Sequence, residues 1–257
     1  MTARVAAINV APVKALGLVH PDEIHLGDRG VAGDRRFWLV DEERRLFNNK
    51  RCGPLVRVRP EWDEATAVLA LAFPDGNRLE GLVEVEPEPF EVELYGYPLG
   101  SHRVLGPWAE ALSEFAGQQL TLLRADEGAP DRLYAGGASI VSRASLAWVA
   151  QEGGESEPLD GRRFRMLLEL DGLDAHEEDT WIGREVRAGD ALLKVNGDVG
   201  RCAVTTHDPD TGVPDFDTLK VLAAYRREGV KEPLPLGVYA SVVEPGRVRV
   251  GDVLTLS

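Results

Sequence analysis

One stretch of the chain holds residue types suited to thiolate chemistry: Val199, Gly200, Arg201, Cys202, Ala203, Val204, Thr205, Thr206, His207, Asp208, Pro209, Asp210, Thr211 and Gly212 in succession. A thiolate is a soft metal ligand and a nucleophile, and a neighbouring guanidinium favours it over the thiol. Arg201 supplies that charge and Gly200 leaves the backbone approachable. The first half of the stretch reads as a strand and the second as a tight turn set by Pro209 and Gly212, which places Cys202 on a rigid element. His207 is a candidate proton donor with a pKa suited to neutral pH, although a histidine at such a place is more often just a turn residue. Asp208 sets the turn through its side chain, with a proton-relay role as the alternative. Taken alone, a single cysteine is more often a small buried apolar side chain than a ligand.

The elements that position these residues are mostly strands. Phe90, Val92 and Leu94 alternate with Glu91 and Glu93, and Val56 and Val58 with Arg57 and Arg59, as half-buried strands do. Pro74-Asp75-Gly76-Asn77 marks a turn between a Val68 to Phe73 run and a Leu79 to Val85 run. Helical spacing is confined to three places. The first is Trp108 to Phe115 between Pro107 and Gly117, the second begins near Ser142, and the third runs from Asp217 as N-cap through Tyr225 to Gly229. The sequence Val-Arg-Ala-Gly-Asp-Ala-Leu at 186–192 is echoed by Val-Arg-Val-Gly-Asp-Val-Leu at 248–254, and a Gly-Asp turn predicts a hairpin at each copy. The expected fold is mainly β, with a few helices. It comprises a smaller β domain over 1–100 followed by a β-barrel domain over 101–257. The acidic run Glu177-Glu178-Asp179 reads as a solvated face.

Charge narrows the partners. The 257 residues contain 43 Asp and Glu against 29 Lys and Arg, a formal net charge of -14. Such a field repels polyanions, so nucleic acid is not an expected partner, and an anionic small ligand needs a local cationic pocket. Clustered arginines are therefore informative. No membrane-length apolar run and no signal-peptide pattern is present, and a cytoplasmic, membrane-free protein is the expectation. The two cysteines, Cys52 and Cys202, are far apart and form no CxxC, so both are expected to be free thiols.

The Gly-Arg-Cys block followed by Thr-Thr, Asp-Pro and Thr-Gly resembles the signature of MOSC domains. Further blocks are similar to that family: Ala11-Pro12-Val13-Lys14-Ala15, Gly33-Asp34-Arg35-Arg36-Phe37-Trp38, Lys50-Arg51, Arg163-Phe164-Arg165 and Glu178-Asp179-Thr180-Trp181. The resemblance is to the version with an N-terminal β-barrel domain, as in amidoxime reducing components and their bacterial relatives. It implies a molybdenum cofactor with Cys202 as the thiolate ligand. Lys14 and either Arg35 or Arg36 would hold the pterin phosphate, and Arg51, Arg163, Arg165, Gly200, Arg201 and Thr205 would complete the cofactor-binding set. Lys14, Arg36 and Arg165 are the expected phosphate pocket. The implied reaction is reduction of a small N-hydroxylated compound, N-OH to N-H, with electrons from a separate flavoprotein, haem or iron-sulfur protein. Two other readings stand beside it: a sulfur carrier or sulfurtransferase using a persulfide on Cys202, and a carrier that binds the cofactor without turnover. The chain departs from the family pattern at Met166-Leu167, where relatives have Pro-Asn, at Ala135-Gly136-Gly137, and at Leu236-Gly237, so fewer polar cofactor contacts and a reshaped substrate pocket are expected.

Overall fold

Residues 2–94, 97–126 and 137–256 are described by the computed structural model; Ala135 and Gly136 of the departure noted above lie outside them. The largest sheet has seven strands, in the order β1 (Arg4–Ile8), β15 (Leu168–Asp171), β14 (Ala138–Ser142), β18 (Pro235–Glu244), β17 (Ala191–Gly200), β16 (Glu185–Ala188) and β20 (Leu254–Leu256). Its two ends meet. Leu254 N–H donates to Ala3 O at 2.9 Å and Val5 N–H to Asp252 O at 2.9 Å, and Arg4 bridges Val253, so the last strand returns to the first and closes a barrel. Inward-facing Val, Ile and Leu side chains such as Ile8, Ile140, Leu168, Val186, Leu193 and Val238 fill it. Period-2 alternation and β-branched residues make these segments strands, and closure removes the edges that would otherwise pair with other chains.

A second sheet orders β5 (Leu46–Phe47), β4 (Phe37–Val40), β13 (Thr121–Ala125), β12 (Ser101–Leu105) and β9 (Glu84–Val85). The meander β6 (Arg59–Asp63), β7 (Val68–Ala72), β8 (Arg78–Leu82) accompanies it, with Gly76 at φ 91° in the turn that the Pro-Asp-Gly-Asn signal announces. Phe37, Leu39, Leu55, Leu69, Leu71, Leu112 and Leu122 form its core. The division expected at 100/101 crosses this sheet. β12 and β13 lie after that point, yet they pair with β9 and β4 before it, while β1, from the N-terminus, is inserted beside β15 in the barrel. Chain order and strand pairing differ because the closing strands of each sheet come from both sides of the cut.

Three α-helices occur among the described residues. α1 (Trp108–Ala116) ends on Gly117 at φ 65°, and α2 (Arg143–Glu152) starts where Ser142 Oγ accepts from Ser145 N–H. α3 (Thr218–Tyr225), capped by Asp217, stops four residues short of Gly229. Arg226 there leaves helical geometry, with φ -133°, and its guanidinium bonds Pro235 O and Asp179.

Three further expectations are corrected by the packing. Val56 is in a 3-10 turn, Gly53–Arg57, rather than a strand; Pro54 in its first turn favours that geometry over extension. The echoed Gly-Asp segments do not both form hairpins. Gly189 joins β16 to β17 directly, whereas β19 (Gly246–Arg249) pairs with β2 (Glu23–Gly27) and β20 with β16. The two turns pack on each other, Asp190 N–H donating to Arg247 O at 2.9 Å. Nor is the acidic run a solvated face: Glu178 is fully buried, accepting from Ser142 N–H at 3.1 Å and Ser145 Oγ at 2.8 Å.

Burial pushes the Glu178 carboxyl up, against the pull of those two hydrogen bonds. A carboxyl held higher in the folded than in the unfolded chain costs nothing below its ordinary value of 4.5, and stability is lost as pH rises through the raised value. Glu178→Gln keeps an acceptor for Ser142 and Ser145 and removes the ionisation. The variant is expected to melt above wild type at about pH 8, with the difference shrinking toward about pH 4, in thermal denaturation followed by circular dichroism.

Candidate functional site

β17 delivers the cysteine. Its last residue, Gly200, sits where an added Cβ would lie 2.9 Å from Glu232 Cβ and 3.1 Å from Pro233 O, so the following segment passes under the 228–233 loop only with glycine there. That loop is itself pinned by buried Asp198, whose carboxylate accepts from the N–H groups of Val230, Lys231 and Glu232. Cys202 is a half-buried free thiol at the head of the 3-10 turn Ala203–Thr206. Its carbonyl accepts from both Thr205 N–H and Thr205 Oγ1, each at 3.0 Å.

Two arginines fasten this turn. Arg201 bonds backbone carbonyls of neighbouring segments. Its Nε donates to Leu236 O at 2.9 Å and its Nη1 to Phe164 O at 3.2 Å, with the guanidinium 5.5 Å from the Phe164 ring centre. Arg163, buried, grips both Asp215 oxygens at 2.9 and 3.0 Å and donates to His207 O at 3.2 Å. Asp208 closes the next turn, its Oδ1 accepting from Asp210 N–H, Thr211 N–H and Thr211 Oγ1. Burial would raise its pKa, but these hydrogen bonds outweigh burial and lower it. Gly212 then meets Gly53 backbone to backbone: a Cβ on Gly53 would stand 2.0 Å from Gly212 O. The cysteine segment is thus seated directly on the N-terminal half.

A cavity of about 180 Å³ lies at that seam. From the N-terminal half come Gly17, Leu18, His20, Asn49, Val56 and Arg59; from the other half come Arg162, Arg163, Arg165, Val204, His207, Asp208, Pro209 and Asp210. Four arginines and two aspartates line it, and Asp215 and Asp160, outside the lining, pair with Arg163 and Arg162, so the cavity gathers guanidinium groups in a chain of net charge -14 with their charge largely balanced. Such a wall, rich in guanidinium donors, is suited to a phosphate or carboxylate. Arg162 is held by Asp210 and Asp160, which raise its pKa, and it lowers that of Asp210 in turn.

Family models match the two halves: a MOSC N-terminal beta barrel domain over residues 2–98 and a MOSC domain over 136–255. The chain belongs to the MOSC family. Human mitochondrial amidoxime reducing component 2 is 42% identical over 99 residues, which is 35% of this chain and 28% of that protein. Human mitochondrial amidoxime-reducing component 1 is 34% identical over 125 residues, 46% of this chain and 36% of the relative. The matched segments therefore span about a third of these relatives. Among solved structures, the YUAD protein from Bacillus subtilis covers 100% of the chain and 96% of its own, at 13% identity and a TM-score of 0.47.

Within this MOSC architecture the expected site residues separate by position. Arg163, Arg165, His207 and Asp208 are on the cavity wall, and Cys202, Arg201, Thr205 and Gly200 build the turn that carries Val204 onto it. Arg35 stands behind the wall: buried, ion-paired with Asp34, it donates from Nη2 to Arg165 O at 3.1 Å, and Arg165 itself adopts φ 54°. Lys14 opens the segment leading to Gly17, its N–H bonded to Phe37 O at 2.7 Å.

Lys14, Arg36 and Arg51 are not on the cavity wall, contrary to expectation. Arg36 donates to Asp126 O and pairs with Glu64 at 3.2 Å; Arg51 pairs with Asp41 at 2.6 Å and lies 4.6 Å over the Phe47 ring. Burial alone would raise Asp41, yet the hydrogen bonds from Arg51 and Arg45 bring it down to about 2. His207 also differs from the expectation of a donor tuned to neutral pH. Burial pushes its pKa below 6.5, Arg163 adding to that and Asp215 opposing it, and its Nδ1 is buried without a hydrogen-bond partner. Leu236 is fully buried and Met166 and Leu167 nearly so, which makes these departures core packing rather than pocket lining.

Sequence reasoning missed His20, Asn49, Arg59 and Arg162. Arg162 adjoins Arg163, and His20 follows Lys14 by six residues, so proximity to the family blocks was the available signal. No helix among the described residues is long and apolar enough to cross a membrane.

Proposed function

We propose that this protein holds a molybdenum cofactor through Cys202 and reduces small N-hydroxylated compounds, converting N-OH to N-H with release of water. The observation that carries the reading is the arginine-walled cavity beside the cysteine turn of an otherwise acidic chain. The donor set fits such a group. A soft thiolate suits molybdenum, Cys202 is a half-buried free thiol, and a pterin phosphate finds a cationic donor in Arg165 on the cavity wall, with Lys14 assigned by the family resemblance. Arg35, rather than Arg36, belongs to the phosphate side, because it braces Arg165 while Arg36 is committed to Asp126 and Glu64.

Bound there, the cofactor supplies a two-electron redox centre. The protein's own residues do the rest. Thr205 holds the Cys202 carbonyl, Arg163 holds the backbone just after it and Arg201 is fastened just before it, so the thiol is presented without reorganisation. Asp208 and Gly212 shape the turn that forms one wall. The Arg162 and Asp210 pair, with Asp160, holds that wall to the 160–165 turn. Electrons come from a separate flavoprotein, haem or iron-sulfur protein. Relatives named as amidoxime reducing components support the substrate class.

Inductively coupled plasma mass spectrometry on protein from a cofactor-producing host tests the reading. About one molybdenum per chain is the expected result. Absence of molybdenum from protein made in that host would remove the reductase reading and return Cys202 to persulfide chemistry.

A further inference from the structure

His20 is on the cavity wall and exposed at its rim, six residues after Lys14. Its ring is not free to turn. His20 Nδ1 stands 2.8 Å from Asn9 Oδ1, and Asn9 is buried. The Asn9 amide is itself fixed by what lies behind it: Nδ2 reaches Met166 O at 3.0 Å and Glu169 Oε1 at 3.0 Å. A carbonyl accepts and never donates, so the Asn9 NH2 must face Met166 and its oxygen must face the histidine. Asn9 Oδ1 therefore accepts, and the proton of a neutral His20 resides on Nδ1. Nε2 then carries the lone pair, and it makes no hydrogen bond among the described residues.

Glu169 anchors the chain of contacts. It is buried, takes Arg143 Nε at 3.3 Å on its other oxygen, and fills the space over Gly161, where a Cβ would come within 2.2 Å of Oε1. A histidine oriented by an amide, which is oriented in turn by a carboxylate, has a fixed tautomer and a fixed ring direction. That is what a proton-transferring imidazole requires.

We propose that His20 is a catalytic residue that carries a proton from solvent into the cavity and gives it to the oxygen leaving the substrate, with Asn9 and Glu169 as positioning residues. The proposal rests on the reductase reading above. For an amidoxime the balance is R–C(NH2)=N–OH plus two electrons and two protons giving R–C(NH2)=NH plus water. The N–O bond breaks and the electron-donor protein of that reading supplies both electrons. One proton, taken up from bulk water on Nε2 and given from there, completes the water and leaves His20 neutral with its proton on Nδ1; the other proton, from solvent, goes to nitrogen. His20 regains its proton from bulk water, which its rim position reaches.

The test compares wild type and His20→Gln, both loaded with cofactor, for benzamidoxime reduction driven by reduced methyl viologen, together with molybdenum content. In parallel, nitrogen-15 NMR of histidine-labelled protein reads the tautomer of His20 in wild type and in Asn9→Leu. The expected results are a fall in kcat of about 100-fold with KM within about twofold, unchanged molybdenum, and an Nδ1-protonated ring in wild type that loses this preference in Asn9→Leu. Undiminished kcat in His20→Gln overturns the proposal, as does an Nε2-protonated ring in wild type. Loss of molybdenum from His20→Gln also overturns it, since the residue would then hold the cofactor. If wild type carries molybdenum but reduces no N-hydroxylated compound, the reductase reading fails and takes the proton step with it. Active wild type with equally active His20→Gln removes the proton step alone.

Discussion

Cys202→Ala, prepared from a cofactor-producing host, is expected to lose its molybdenum and its reductase activity while keeping its fold. The turn does not depend on the thiol. It is held by Thr205 on the Cys202 carbonyl and by Arg163 on the carbonyls of Thr205 and His207, all of which survive the substitution. Removing one half-buried sulfur should cost no more than about 1 kcal/mol. Removing a direct metal ligand should exceed the roughly 10–100-fold that loss of an outer contact typically costs. Cys202→Ser sharpens the comparison, because a hydroxyl of similar size is a harder and weaker ligand at neutral pH. Metal content of the two variants, with melting temperature as the control, separates ligation from packing. Retention of molybdenum in both would move the ligand elsewhere and leave Cys202 as a structural thiol.

Why the cysteine turn was legible in the sequence and the arginine wall only partly so follows from how each is built. Asp208, Pro209, Thr211 and Gly212 make their turn with contacts two to four residues apart, and local contacts leave a local signature. Ser142 and Asp217 cap α2 and α3 for the same reason. An arginine's destination, by contrast, is set by which carboxylate or carbonyl the fold brings to it. Arg36 and Arg35 are adjacent in sequence, yet one turns to Asp126 and Glu64 and the other to Asp34 and Arg165. Arg51, just after β5, is taken by Asp41 in the turn before that strand. Glu178 looks solvated in a row of acids because nothing in that row announces the Ser142 and Ser145 donors 36 and 33 residues earlier. The alternation at Val56 to Arg59 fits a strand as well as a 3-10 turn, and only Pro54 favours the second.

Asp215→Ala should produce the largest loss of stability together with a loss of cofactor. Arg163 is 5% exposed and Asp215 41%, so the pair is buried on one side only. Breaking a fully buried pair costs roughly 3–5 kcal/mol; with the carboxylate partly in water we expect about 2 kcal/mol. In a chain of this size that lowers the melting temperature by about 5 °C. The cost falls on Arg163, whose charge would keep only the carbonyls of Thr205 and His207. Those carbonyls hold the C-terminal end of the turn that presents Cys202, so molybdenum content should drop with stability. The double variant Arg163→Met with Asp215→Leu removes the stranded charge, and replacing a buried pair by apolar side chains is often neutral or better. It should therefore recover most of the melting temperature without recovering the metal, because the cavity has lost a guanidinium and the cysteine turn two of its donors. Should molybdenum return along with the melting temperature, charge at the wall would not be what retains the cofactor, and the role assigned to Arg163 would reduce to packing.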